Sequence, residues 1–122
     1  PALKSKMVVI CDRFIDSTYA YQVYGKRVNK NLIDKIHKVI LGKYKPNLTI
    51  ILKVTTKSSR LRIKKRRFKN RYDKFSDSFY KRVQKSFLNR AKGQKNYIIF
   101  ESSKNTPKLE KDILNLVLKR LR

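Results

Sequence analysis

Residues 7–22 read MVVICDRFIDSTYAYQ, and the fold turns on how this stretch divides. Met7 to Cys11 is an unbroken apolar run rich in β-branched residues, stopped by Asp12-Arg13. That pattern predicts a strand buried on both faces, as in a parallel sheet. In open parallel sheets ligands bind beyond the carboxyl ends of the strands, so Asp12-Arg13-Phe14 occupies a privileged step. A guanidinium there can clamp a phosphate in bidentate fashion, and a carboxylate can hold a metal-bound water. The same two residues also make an ordinary ion pair at a strand end, and spacing does not decide between the two. Behind them Asp16, Ser17, Thr18, Tyr19, Tyr21 and Gln22 offer hydroxyls, amides and rings able to read a base or a sugar, although all are also common turn and helix-start residues.

Outward from this stretch, helical and extended patterns alternate. Leu32, Ile33, Ile36, Val39 and Ile40 share one helical face, with Asn31 available as a cap and Gly42 just past the end. His37 falls on the flank of that helix, a boundary position. Pro46-Asn47 then punctuates the chain, and Leu48 to Val54 predicts a second strand whose oddity is Lys53 near its end. Lys57 to Lys74 holds ten basic residues and one acid, Asp73, a segment too charged to bury and helical at its start. Phe75, Phe79, Val83, Phe87 and Ala91 are spaced by four, predicting a helix that ends near Gly93, with the rings in a core rather than on a base-stacking platform. Asn96 to Phe100 predicts a third strand. Thr106-Pro107 opens a last helix with the stripe Leu109, Ile113, Leu116, Val117 and Leu121. Strands alternating with helices give an α/β layered architecture with parallel pairing, in one domain over residues 1–122 and without internal repeats.

The chain has 122 residues, 40% of them hydrophobic, which is enough apolar material for a single core. Its 33 Lys and Arg stand against 8 Asp and Glu, a formal charge of +25. Such an excess is the footprint of a polyanion binder, and nonspecific nucleic-acid binding is expected from it. No apolar stretch approaches the roughly 20 residues of a membrane-spanning helix, and none opens the chain as a secretory leader. One cysteine, Cys11, allows no internal disulfide and with one histidine no Cys/His metal centre; it is expected as a buried small apolar residue in a reducing cytoplasm.

The string CDRFIDSTYAYQ, Cys11 to Gln22, resembles the segment of bacterial thymidylate kinases in which an Asp-Arg-aromatic triplet precedes a Ser-rich turn and Ala-Tyr-Gln. Support follows in the same order in Pro1-Ala2-Leu3, Pro46-Asn47-Leu48-Thr49, Arg62-Ile63-Lys64-Lys65-Arg66, Arg71-Tyr72-Asp73, Phe79-Tyr80-Lys81-Arg82-Val83 and Tyr97-Ile98-Ile99-Phe100. The resemblance implies an incomplete P-loop NTPase-type three-layer fold, a parallel sheet flanked by helices, and transfer of the γ-phosphoryl of ATP to dTMP with Mg²⁺. It places Arg13 on the acceptor phosphate and Asp12 in the metal and phosphate region. Thr18 and Gln22 would face the thymine edge with Ser17 in support, and Tyr21 would lie against the deoxyribose. Arg62, Arg66 and Arg71 would belong to a basic lid, residues 57–74, closing over ATP, and the complete protein would be a cytoplasmic homodimer.

This sequence departs from the family's pattern at Lys53, where Asp is usual, and at Val23 and the segment Lys26 to Val28, where glycines are usual. Asp73, Gln84 and Glu101 replace Glu, Arg and Asp. The three glycines, Gly25, Gly42 and Gly93, cannot form a GxxxxGK[ST] loop, so the resemblance implies the C-terminal portion of a kinase, lacking the N-terminal strand and P-loop. Such a portion alone is expected to expose apolar edges and to be poorly soluble or molten. Two alternatives stand beside the kinase: a non-catalytic RNA- or DNA-binding module, and an inactive kinase relic.

Overall fold

The computed structural model describes residues 1–65, 74–104 and 106–121. Arg66, Arg71 and Asp73 therefore lie outside the described residues, as does much of the expected lid.

After Phe14 the chain turns into a short helix, α1 (Ile15–Thr18), which runs on as a π-helical segment, Tyr19–Gly25. Helix α2 spans Lys30–Leu41. Its cap is Asn29 rather than the expected Asn31: the Asn29 side-chain oxygen accepts from the backbone N–H groups of Asn31 and Leu32, satisfying two donors that the first turn leaves open. Strand β1 (Thr49–Lys53) leads into α3 (Thr56–Lys64), capped by Thr55. Helix α4 (Asp77–Ala91) is capped by Ser76, and Asp77 in its first turn favours the positive end of the helix dipole. Strand β2 (Tyr97–Glu101) and helix α5 (Pro107–Leu121) complete the described fold.

The two strands pair in parallel, Thr49 opposite Tyr97 through Lys53 opposite Glu101. The α/β class and the parallel pairing are as the alternating pattern predicts. The strand expected over Met7–Cys11 does not form: Met7 to Ile10 have no regular structure, Ile10 is 90% exposed, and Cys11 is exposed rather than buried. An extended run becomes a strand only by sharing a hydrogen-bond ladder. Residues 7–11 join the free edge of neither β1 nor β2, so among the described residues the run has no ladder partner.

The core forms where the π-helical segment crosses α4, around Ala20, Phe79 and Val83, with Tyr21, Phe75, Tyr80 and Phe87 packed on it. Phe75 and Phe79 stack at 4.3 Å between centroids, and Tyr80 meets Phe79 edge-on, so the phenylalanine spacing does report a core. Gly25 permits the closest approach: a Cβ there would stand 2.6 Å from Cε2 of the buried Phe79 ring. Arg82 fastens the same crossing by donating to the carbonyls of Tyr24 and Gly25. The stripe of α2 is largely uncovered, with Ile33 buried but Leu32, Ile36, Val39 and Ile40 exposed. No helix of the described residues is long and apolar enough to cross a membrane.

Candidate functional site

Arg13, Ser17 and Tyr21 are four residues apart, so the first two turns after the apolar run set them on one face. Arg13 has φ 67°, a left-handed conformation that bends the chain out of the run and into α1. Its side chain then folds back along the helix. The Arg13 Nε–H donates to Ser17 Oγ at 3.2 Å, and the guanidinium lies over the Tyr21 ring, 4.8 Å from the centroid. Neither partner is an anion, so the charge of Arg13 remains available to one.

Arg13 and Tyr21 form one wall of an open cleft of about 370 Å³ beyond the carboxyl end of β1. Lys53 and Val54 supply its floor, α3 supplies Arg60, Arg62 and Ile63, and α4 closes the far side with Tyr80, Gln84 and Phe87. Four cations thus converge on one concavity, a lining that suits phosphate oxygens. Each is held differently. Arg60 pairs with Asp77, and Lys53 reaches its register partner Glu101 at 3.9 Å. Arg62 donates through Nη2 to the carbonyls of Ser102 at 2.5 Å and Ser103 at 3.4 Å, which fastens α3 to the end of β2. Gln84 donates to the Val54 carbonyl and ties α4 to the end of β1. Glu101 accepts from the Ser103 hydroxyl and backbone N–H, and these bonds, with Lys53 beyond them, hold its carboxyl below the usual range.

The structure brings together Arg13, Ser17, Tyr21 and Arg62. Asp12 sits exposed one residue before Arg13 and, like Ser17, does not itself line the cleft. Thr18 and Gln22 are half-buried on the helix that carries Tyr21, but neither lines the cleft. Arg66 and Arg71 lie outside the described residues.

Asp16 has a role that sequence reasoning did not find. It is buried, and its carboxylate accepts from Arg90 Nε at 2.5 Å and from the Tyr97 hydroxyl at 3.0 Å. Arg90 also lies over the Tyr19 ring at 4.0 Å, and the Tyr19 hydroxyl donates to Asp34. This network pins the start of α1 to α4 and β2, and so fixes the base on which Arg13 stands. Burial pulls the Arg90 pKa down, but the hydrogen bond and charge of Asp16 outweigh it and hold the guanidinium above its ordinary value. Burial, then the charge of Asp16, raises Tyr97. With partners 74 and 81 residues away, no local spacing announces this cluster.

A sequence model of the thymidylate kinase family matches residues 1–113. The chain is 38% identical to the thymidylate kinase of Wolbachia pipientis subsp. Culex pipiens (strain wPip), over 98% of this chain and 58% of that protein. It is 37% identical to that of Aster yellows witches'-broom phytoplasma (strain AYWB), over 100% of this chain and 58% of the relative. The crystal structure of thymidylate kinase from Ehrlichia chaffeensis superposes with a TM-score of 0.66 at 27% identity, covering 98% of this chain and 54% of the other. The chain therefore spans little more than half the length of these relatives, matching their C-terminal portion. With its parallel α/β core, its cationic cleft at the strand ends and the Asp12-Arg13-Phe14 step, the chain belongs to the thymidylate kinase family.

Proposed function

We propose that this chain carries the acceptor-binding and lid portion of a cytoplasmic thymidylate kinase that moves the γ-phosphoryl of ATP to dTMP, giving dTDP, and works as a homodimer. The observation that supports this reading most is the Arg13 guanidinium, held by Ser17 and Tyr21 at the rim of a cleft it shares with Lys53, Arg60 and Arg62. Phosphoryl transfer needs little covalent chemistry from the protein; it needs the two phosphates aligned and their charge offset by fixed donors. Arg13 binds the acceptor phosphate, with Ser17 keeping its fork in place and Tyr21 offering a face to the deoxyribose. The resemblance assigns Thr18 and Gln22 to the thymine edge, next to Tyr21 on the same helical run. Arg62, on a helix already fastened to β2, faces the transferred group, and Arg66 and Arg71 complete the basic lid over residues 57–74.

Among the described residues no group of three His, Cys, Asp or Glu could hold a metal ion by itself. Asp12, exposed beside Arg13, is the carboxylate of the segment that would hold a water of a phosphate-bound Mg²⁺. Bound in that way the ion supplies charge neutralisation on the phosphates.

The test is Arg13→Ala in the full-length polypeptide, read by dTDP formation. Loss of one preorganised electrostatic group is expected to lower kcat/KM by at least about a hundredfold. A change below about threefold would remove Arg13 from the site. Absence of turnover in the unaltered polypeptide would favour the relic reading, which the reversed charge at Lys53 motivates.

A further inference from the structure

Because β1 and β2 run in the same direction, the two loops that feed them emerge at one end, about 13 Å of strand rise from Lys53 and Glu101 at the other. The loop before β1 carries Lys43 and Lys45, and the loop before β2 carries Lys92 and Lys95. The loops are bound together: Asn96 Nδ2 donates to the Pro46 carbonyl at 3.2 Å, and the Thr49 N–H to the Asn96 carbonyl at 2.8 Å. Helix α5 returns its last turn to the same place, where Arg120 Nη2 donates to the Lys95 carbonyl at 3.5 Å and Lys119 lies beside it.

These six basic residues are all exposed, and segments 42–48, 92–97 and 115–121 contain no Asp or Glu. Asp16 reaches this end through the Tyr97 hydroxyl, but it is buried and paired with Arg90. Tyr44, 51% exposed, stands between Lys43 and Lys45. Cations without an acidic partner among the described residues, with an exposed ring flanked by two of them, are what holds a single-stranded backbone and stacks a base.

We propose that this amino-terminal pole of the sheet is a second binding surface, taking the phosphate backbone of single-stranded nucleic acid without regard to sequence. Its cations stand at the opposite end of the sheet from the cleft, so the chain can hold a polynucleotide and a mononucleotide at once.

The test uses the full-length polypeptide and an oligodeoxyadenylate labelled at its 5′ end, followed by anisotropy from about 50 to about 200 mM KCl. Lys43→Gln, Lys45→Gln, Lys92→Gln and Lys95→Gln are combined in one variant. The control combines Lys35→Gln, Lys38→Gln, Lys81→Gln and Lys85→Gln, which removes the same charge from exposed positions of α2 and α4. With about 0.7 counterions released per phosphate contacted on a single strand, the pole variant is expected to flatten the slope of log K against log salt by about 3 and the control by less than about 1. Equal flattening in both variants would overturn the proposal, reducing it to diffuse net charge. A second readout needs no variant: lysine acetylation mapped with and without the oligonucleotide is expected to show Lys43, Lys45, Lys92 and Lys95 protected, and unchanged reactivity there would refute it. Neither dTMP nor ATP is present, so failure of this proposal leaves the kinase reading untouched.

Discussion

Replacing Asp16 with Ala strands a half-buried cation. In the native fold Asp16 is 5% exposed, and its carboxylate takes hydrogen bonds from Arg90 and Tyr97, residues distant from it in sequence. Removing it leaves the Arg90 guanidinium and the Tyr97 hydroxyl facing a void. Breaking one side of a buried ion pair costs about 3–5 kcal/mol. The Arg90 side chain retains 25% exposure and so recovers some hydration, which puts the expected loss near the low end, about 3 kcal/mol. With a urea dependence of about 2 kcal/mol/M, the unfolding midpoint of the full-length polypeptide should fall by about 1.5 M. Asp16→Ala/Arg90→Met, which removes both charges, should be less damaging than the sum of the single changes, because the desolvated guanidinium has gone. A midpoint shift under about 0.5 M, or a strictly additive cycle, would refute the account of this network as the base of the site.

Gly25→Ala drives a methyl group to 2.6 Å from the buried Phe79 ring and should cost about 1–3 kcal/mol in chemical denaturation; Phe79→Leu in the same chain should relieve part of it. Burial, and then the hydrogen bond donated to Asp34, push the Tyr19 pKa up to about 12. Its folded value therefore exceeds the unfolded value of about 10, so the stability it contributes is complete below pH 10 and is lost as pH rises toward 12. Ultraviolet titration of the phenolates should show a late component that disappears in Tyr19→Phe; an unchanged curve would contradict the contact. The 122-residue chain by itself, with Met7 to Ile10 and most of the α2 stripe exposed, should bind a hydrophobic dye and melt broadly, and a sharp cooperative transition would count against that expectation.

What the sequence disclosed, and what it concealed, follows the range of the forces involved. The helices α2, α4 and α5 were legible because a period of 3.6 is written into neighbouring residues, and β1 and β2 because their apolar runs are bounded by turn residues. Residues 7–11 have equally strong strand character, yet strand formation depends on a ladder partner, which no local pattern records. The cap moved from Asn31 to Asn29 because both are asparagines and only the geometry of the first turn separates them. Tyr19–Gly25 became a π-helical segment that its sequence, YAYQVYG, does not mark. At the site, Arg13 was legible from its place after the apolar run, and Ser17 and Tyr21 from the family resemblance of the string Cys11 to Gln22; that the three share one face came only with the structure. The fastening of Arg62 to Ser102 and Ser103, 40 and 41 residues on, was not legible. Lys53, which stood out as a charge reversal, proves to face Glu101 across the sheet, an exposed pair whose two members compensate one another.

The left-handed backbone at Arg13 sets folding and chemistry against each other at a single residue. A side chain other than glycine costs about 1–2 kcal/mol in that conformation. Gly at this position would relax the turn while deleting the guanidinium, so Arg13→Gly should fold more stably than Arg13→Ala and be equally impaired at the cleft. A library selected only for folding or abundance should therefore drift from arginine toward glycine at residue 13, whereas one selected for the phosphoryl transfer proposed above should hold arginine there. The direction of that drift reports whether the strain is maintained by function, without any rate being measured.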